Sequence, residues 1–156
     1  MLDRYMQVNI STQMKLVHSF CQLHQHQPDL KKGILLMSSL AGNQGSPNIA
    51  AYAATKSFNT ILAEGLWKEL KPHGINVVAC CAGAVLTPGY KQAANAKTAP
   101  GAMGADEVAE KTLKALGKGP IVVPGVVNKL GRFIFMRLLS RKAAVNIMSK
   151  NTGGLS

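Results

Sequence analysis

A tyrosine and a lysine stand four residues apart in the segment YAATK, at Tyr52 and Lys56. On a helix this spacing places both side chains on one face, one turn apart. An ammonium about 4 Å from a phenol is worth roughly 4 kcal/mol at an effective dielectric near 20, or about three pK units. The pair therefore predicts a tyrosine whose pKa falls from about 10 toward about 7, where it can act as a general acid or base.

A lone Tyr-x-x-x-Lys is a weak signal, because a chain with three tyrosines and this many lysines contains one by chance about a quarter of the time. A helical tyrosine more often packs against neighbours while its hydroxyl meets water. The position of the pair favours chemistry. An aliphatic run ends at Ser38 and Ser39, and a glycine-rich stretch leads from there to Tyr52. Ligands bind at the carboxyl ends of parallel strands, so we expect the loop to fold back and bring Ser39 beside Tyr52.

The elements that must position these groups follow from hydrophobic periodicity and from turn residues. The pattern predicts strands ending at Ser39 and spanning 75–82, with a third short strand in GPIVVPG. It predicts helices over 2–27, 49–71 and 126–150, a helix from an Asp106 N-cap to Leu116, and a short helix near 89–96, with loops at 40–48 and 83–100.

Strands and helices alternate along the chain, which predicts an α/β fold with a parallel sheet and helices on both faces. No repeat, low-complexity tract or linker interrupts the sequence, so residues 1–156 are expected to form a single domain. An apolar content of 47% argues against disorder.

Three cysteines without CxxC or zinc spacing suit a reducing compartment, and no metal site is expected. The start lacks a signal-peptide pattern, and the longest apolar stretch, near 75–86, is too short to span a bilayer. A cytoplasmic protein, soluble or peripherally membrane-associated, is therefore expected.

The net charge of +11 is unevenly distributed. From Lys111 to the end the chain holds nine Lys or Arg residues and no acid. Such a segment suits phosphates, anionic lipid or an acidic partner, or it is a solvated face that keeps the protein soluble. Residues 126–150 interleave cations with apolar residues, as interfacial helices do, which makes peripheral membrane contact an alternative. No aromatic stacking platform or nucleic-acid motif is present, so nucleic acid is not an expected partner.

Taken together, these motifs resemble the C-terminal half of a short-chain dehydrogenase/reductase. The resemblance rests on SSLAG, the thirteen-residue step from Ser39 to Tyr52, YAATK, INVVACCAGAVLT and YMQVNIST. Within this family, the sequence is most similar to hydroxysteroid dehydrogenases and long-chain 3-ketoacyl-CoA reductases, through the segments GSPNIAAYAATKSFNTILAEGLWKEL and AVLTPGY. The family implies a Rossmann-like three-layer fold, here truncated to about three parallel strands with flanking helices.

The resemblance also implies roles for the polar residues. Tyr52 would exchange a proton with the substrate, and Lys56 would lower the pKa of Tyr52 and hold the nicotinamide ribose. Ser39 would hydrogen-bond the substrate oxygen, whereas Ser38 would be mainly structural. Asn9 would hold a water that passes protons to Lys56, the alternative being a surface or helix-bonded asparagine. Desolvation would raise the pKa of the phenol, and the positive charge of an oxidised nicotinamide would oppose that rise.

Three residues after the second strand would contact the cofactor: Gly83, Val85 and Thr87. Where the family has a Pro-Gly turn, this sequence has Ala82-Gly83. Losing the proline loosens the bend but keeps the glycine that lets backbone approach a ligand.

One departure from the family concerns the cofactor diphosphate, which normally meets a glycine-rich turn after a strand. No such turn occurs here, and Gly42 and Gly45 follow a different strand with a different spacing. Residues 1–156 are therefore expected to be the catalytic half of the fold, with the N-terminal dinucleotide-binding half absent. Binding of NAD or NADP by this chain alone is accordingly doubtful.

Two functions stay open at this stage. The first is an NAD(P)-dependent oxidoreductase, or a fragment of one, acting in lipid metabolism on an apolar substrate such as a 3-ketoacyl thioester or a steroid. The second is a non-catalytic module that associates with full-length relatives or with an anionic membrane. In either case helices 2–27 and 49–71 are expected to mediate homo-oligomerisation, and an exposed strand edge is expected to leave the isolated chain marginally stable.

Overall fold

A computed structural model describes residues 2–24, 26–27, 31–93 and 98–152 of the chain. Its centre is one parallel sheet of three strands, β1 (Lys32–Ser39), β2 (Ile75–Ala82) and β3 (Ile121–Val122), in the order β1-β2-β3. The register pairs β1 with β2 along their full length, ending with Ser39 opposite Ala82. The predicted α/β fold with three parallel strands is confirmed, and β1 lies at an edge of the sheet.

The helices alternate with the strands. They are α1 (Leu2–Met6), α2 (Thr12–His24), α3 (Ala50–Glu69), α4 (Pro88–Ala93), α5 (Ala105–Ala115), α6 (Val126–Phe133) and α7 (Arg141–Thr152). Two π-helical segments, Gln7–Ser11 and Ile134–Leu138, and two 3₁₀ turns, Leu40–Asn43 and Lys71–His73, connect them.

The core consists of two layers, one on each face of the sheet. On one face, α2 and α3 pack on Ile34, Leu36 and Val77. On the other face, Val108 of α5 packs with Cys80. Neighbouring residues of one strand serve opposite faces, as the two-residue period of a strand requires. This arrangement fixes which side of α3 faces the sheet and leaves its first turns at the carboxyl ends of the strands.

Several predicted boundaries differ from the structure. The first predicted helix, 2–27, is divided by the π-helical segment and ends at His24. Residue 25 lies outside the described residues, and residues 26–27 are not helical. The predicted loop at 40–48 begins with a 3₁₀ turn. The short helix predicted near 89–96 is observed over Pro88–Ala93, and residues 94–97 lie outside the described part of the chain.

Two predictions near the C-terminus are wrong. Asp106 does not cap its helix, because the chain turns into α5 at Gly104 and places Asp106 inside the first turn. A carboxylate there still interacts favourably with the helix dipole, which explains the misleading signal. The continuous helix predicted over 126–150 is broken, since Leu139 adopts an extended backbone conformation between the π-helical segment and α7. Within the described residues, no helix is long and apolar enough to cross a bilayer.

Candidate active site

Tyr52 lies in the first turn of α3, close to the carboxyl end of β1. The hydroxyl of Ser39 lies close enough to the phenol to oppose part of the rise that burial causes in the pKa of Tyr52. The ring of Tyr5 from α1 packs against the Tyr52 ring edge to face, with the centroids 6.0 Å apart. The structure therefore brings Ser39 and Tyr52 together, as the spacing of the sequence predicts.

Contacts of Ser38 and Gly42 with α3 hold the end of β1 against this helix and so position Ser39. The Ser38 hydroxyl donates to the carbonyl oxygen of Lys56 at 2.7 Å and lies 2.7 Å from the Thr60 hydroxyl. Gly42 packs directly on the α3 backbone, because a Cβ at this position would lie 2.7 Å from the amide nitrogen of Ser57. The structural role predicted for Ser38 fits these bonds.

Lys56 is buried, and its ammonium is directed toward the strand. Its Nζ donates to the carbonyl oxygen of Met37 at 2.9 Å and lies 5.5 Å from the centroid of the Tyr52 ring. The amide of Asn59 donates to the same carbonyl oxygen at 3.2 Å. Burial lowers the pKa of Lys56, because desolvation disfavours the ammonium.

The pKa of Tyr52 is raised rather than lowered in this arrangement. Burial of the phenol is the largest cause, and the Ser39 hydrogen bond and the neighbouring Tyr5 act in opposite directions as smaller causes. The lowered pKa predicted from the Tyr-x-x-x-Lys spacing is therefore wrong for this structure. The physical reason is that burial desolvates the phenol, which outweighs the effect of Ser39, while the ammonium of Lys56 donates to the Met37 carbonyl oxygen.

Asn9 reaches the site indirectly. Its Nδ2 donates to the Thr55 hydroxyl at 3.0 Å, and that hydroxyl donates to the carbonyl oxygen of Tyr52 at 2.8 Å. Asn9 lies in the π-helical segment Gln7–Ser11, and π-helical turns are frequent at functional sites. The contact fastens this segment to the first turns of α3, and the water-holding role of Asn9 stays a prediction.

The residues predicted to contact the cofactor follow β2 at the same end of the sheet as Ser39. Gly83 comes directly after Ala82, the partner of Ser39. Val85 forms an isolated bridge with Met103. The Thr87 hydroxyl accepts a hydrogen bond from the Tyr90 amide at 3.2 Å, so it caps α4. The sheet thus places this loop at the edge where Ser39 lies, and its contact with a cofactor stays a prediction.

Asn128 of α6 is a residue that the sequence analysis did not identify. Its side chain is buried and donates to the carbonyl oxygens of Gly101, at 3.0 Å, and Pro124, at 2.9 Å. A Cβ on Gly83 would lie 2.5 Å from its Oδ1, and one on Gly125 would lie 3.2 Å from its Nδ2. Asn128 therefore holds together three loops at the carboxyl end of the sheet. The sequence signal that could have indicated it is an asparagine in an otherwise apolar stretch with glycines and prolines, GPIVVPGVVNKLG.

An apolar cavity of about 350 Å³ lies beyond the end of β1. Its walls come from the turn after Ser39, from the loop at 99–100, and from α6 and α7. The lining residues include Leu40, Val127, Phe135 and Met148. Such a cavity is concave and mostly apolar, as small-molecule sites usually are.

The described polar groups at this edge of the sheet suit the nicotinamide ribose of a cofactor, but they include no site for its diphosphate. Lys56 and Tyr52 could hold a ribose, whereas the space beside Gly83 is filled by the side chain of Asn128. Gly42 provides no phosphate cradle, because the space where its Cβ would stand is filled by the α3 backbone. The part of the chain that the structure describes contains no group of three or more His, Cys, Asp or Glu side chains that could hold a metal.

Comparisons with known proteins agree with this geometry. A family model described as short chain dehydrogenase matches residues 1–98. A 7beta-hydroxysteroid dehydrogenase from Clostridium sardiniense is 26% identical over 129 residues, which make up 81% of this chain and 49% of that protein.

Solved structures show the same fold at low identity. A 7beta-hydroxysteroid dehydrogenase superposes with a TM-score of 0.80 at 24% identity, covering 92% of this chain and 55% of that one. A short-chain dehydrogenase from Sphingobium yanoikuyae in complex with NADPH gives a TM-score of 0.67 at 24% identity, covering 80% and 49%.

The chain therefore spans about half the length of the relatives it matches. The fold is Rossmann-like, and the resemblance drawn from the sequence motifs is confirmed. Because the family model covers well over half of its residues, this chain belongs to the short-chain dehydrogenase family.

Proposed function

We propose that the chain carries the catalytic residues of an NAD(P)-dependent oxidoreductase that interconverts a carbonyl and an alcohol. The observation that carries the proposal is that Ser39 and the ammonium of Lys56 both lie close to the Tyr52 side chain at the carboxyl end of β1, with the ammonium 5.5 Å from the ring centroid. The family membership of the chain supports the same class of reaction.

Tyr52 is the group that moves the proton. In reduction its hydroxyl gives a proton to the carbonyl oxygen, which becomes the alcohol hydroxyl, and in oxidation the proton returns. Ser39 donates a hydrogen bond to that oxygen and orients it. Because burial keeps Tyr52 protonated, the phenol is poised as an acid, and a released Lys56 ammonium would be needed to make it a base.

The cofactor would be NADH or NADPH, which supplies the hydride in reduction. Lys56 and Tyr52 would hold its ribose, and the segment Gly83, Val85 and Thr87 would contact its nicotinamide end. We propose that its diphosphate is bound by residues other than those of this chain. The NADPH held by the relative from Sphingobium yanoikuyae supports the class of cofactor.

The substrate would be apolar, such as a steroid or a 3-ketoacyl thioester, and the reaction would then belong to lipid metabolism. The support is the mostly apolar cavity lined in part by the turn after β1, and the similarity to a 7beta-hydroxysteroid dehydrogenase. The three thiols form no disulfide, which fits the reducing conditions of the cytoplasm.

The test is turnover of a panel of steroid ketones and 3-ketoacyl thioesters with NADH and NADPH. The chain is mixed with the separately expressed dinucleotide-binding half of a relative. Tyr52→Phe is expected to lower turnover by at least about 100-fold, because it removes the transferred proton, and to weaken cofactor binding by less than about tenfold, because it removes one hydrogen bond to the ribose. Tyr5→Phe, which changes the ring packed on Tyr52, is the matched control and should retain turnover within a few-fold. Near-normal turnover by Tyr52→Phe would refute the role.

A second candidate is a non-catalytic module that binds full-length relatives or a further copy of itself. The exposed apolar side chains of α2 and α3, Leu16 and Ile61 among them, favour it, as does the edge position of β1. Cofactor titration separates the two candidates. Tight association with a relative, without nicotinamide binding by the resulting complex, would favour the module.

A further inference from the structure

The helix α6 exposes its apolar side chains to solvent and buries the polar side chain of Asn128. Val126, Leu130 and Phe133 are 82%, 58% and 55% exposed, whereas Asn128 is 6% exposed. A helix on the surface of a water-soluble protein has the opposite orientation, with the apolar stripe packed inward. The exposed stripe is therefore not explained by the packing of this chain.

The orientation of α6 is fixed by hydrogen bonds. Asn128 donates to Gly101 and to Pro124, and its side chain fills the space that a Cβ on Gly83 would take. Turning the stripe inward would break both bonds and leave buried carbonyl oxygens without partners, which is costly. The apolar stripe is consequently held outward.

Cations lie on both flanks of this stripe. A cleft of about 270 Å³ is shared by Val126, Lys118 and Lys129. Lys111 and Lys114 also line this cleft, but they pair with Glu107 and Glu110 on α5. The other flank is a concavity of about 640 Å³ in which Phe133 lies with Lys129, Arg132 and Arg137. Within the described residues, none of Lys118, Lys129, Arg132 and Arg137 forms a salt bridge.

We propose that α6 docks on an anionic lipid bilayer, with Val126, Leu130 and Phe133 in the headgroup region and Lys129 and Arg137 against lipid phosphates. An apolar stripe bordered by Lys and Arg is the pattern of helices that lie in the membrane interface. A second copy is a poorer occupant, because two faces with the same cations would repel each other. The inference is independent of the proposed oxidoreductase function, since Ser39, Tyr52 and Lys56 take no part in it.

Flotation with vesicles tests the proposal, using the whole chain, phosphatidylcholine vesicles with and without phosphatidylserine, and low and high salt. The chain is expected to float only with the anionic vesicles and less at high salt. The double variant Leu130→Glu, Phe133→Glu should weaken binding by more than about tenfold, because it places two charges in the interface. Lys129→Gln with Arg137→Gln should weaken it by about fivefold for each cation removed.

Matched controls lie on other helices. Leu16→Glu changes a residue of α2 that is as exposed as Leu130, and Lys68→Gln removes a surface cation from α3. Both should float as the parent chain does. Binding unaffected by the double variant, or equally lost in Leu16→Glu, would overturn the proposal. A third outcome would also overturn it: the parent chain does not float, and light scattering without lipid shows a dimer that the double variant dissociates. The stripe would then join two copies.

Discussion

At the scale of single residues, Tyr52 combines two opposed requirements. A buried phenol is well placed to reach an apolar substrate, but burial raises its pKa and keeps its proton bound. The Ser39 hydroxyl offsets part of this rise, and Lys56 contributes little while its ammonium binds the Met37 carbonyl. Releasing that ammonium toward the phenol is the change that base catalysis would require.

The raised pKa of Tyr52 predicts a specific dependence of stability on pH. Since the folded state holds this proton more tightly than the unfolded chain, the stabilisation is complete below about pH 10 and is lost as pH rises through the folded-state pKa. Urea unfolding at a series of pH values should show a free energy of unfolding that falls more steeply above about pH 10 in the parent chain than in Tyr52→Phe. Parallel curves for the two proteins would contradict the raised pKa.

At the scale of elements, the site depends on how the turn after β1 lies on α3. Ser39 caps the 3₁₀ turn by accepting a hydrogen bond from the Ala41 amide at 3.2 Å. The turn can lie this close only because Gly42 has no side chain against the α3 backbone. Gly42, which carries no reactive group, therefore determines the position of the Ser39 hydroxyl.

Gly42→Ala is expected to destabilise the chain by about 1–3 kcal/mol, because backbone atoms cannot move aside as a flexible side chain can. The displacement should also carry Ser39 away from Tyr52. Chemical denaturation measures the loss of stability. Gly65→Ala is the control on α3, where only Glu69 lies within 4 Å of the added Cβ, and it should stabilise the chain by about 0.5–1 kcal/mol. A neutral Gly42→Ala would show that the turn does not rest on the helix.

Asn128→Asp is expected to cost about 2–4 kcal/mol, since an aspartate has no donor for the two carbonyl oxygens and buries a charge. Hydrogen exchange should rise at the Leu86 and Met103 amides, whose bonds hold the loop after β2. Asn146→Asp on the exposed side of α7 is the control and should change stability by less than about 0.5 kcal/mol. Unchanged exchange at both amides would mean that Asn128 does not organise this loop.

At the scale of the whole molecule, β1 is one of the two edge strands of the described sheet, and the chain spans about half the length of its relatives. An eight-residue edge with an aliphatic sequence is a template for pairing with another strand. Met37 on β1 and several side chains of α2 and α3 are also exposed and apolar. These features favour association over a monomeric state.

The chain by itself is expected to show a concentration-dependent mass in light scattering. Adding the dinucleotide-binding half of a relative in large excess should raise its melting midpoint by roughly 5 °C or more, because a partner that binds only the folded state stabilises it. An unrelated α/β protein of similar size serves as the control. A monomeric chain with a sharp, high melting transition that the added half leaves unchanged would contradict this expectation.

The sequence by itself determined the α/β class, the parallel sheet, the span of β2 and the position of Ser39 at the carboxyl end of β1. These follow from local periodicity, turn residues and the alternation of strands with helices, which act over short stretches of chain. Only the tertiary structure decided that Lys56 binds the Met37 carbonyl, that Asn128 joins three loops, and that α6 exposes its apolar stripe. These three contacts and exposures depend on which backbone groups, distant along the chain, lie next to each side chain in the fold. The spacing of residues along the chain does not predict such neighbours.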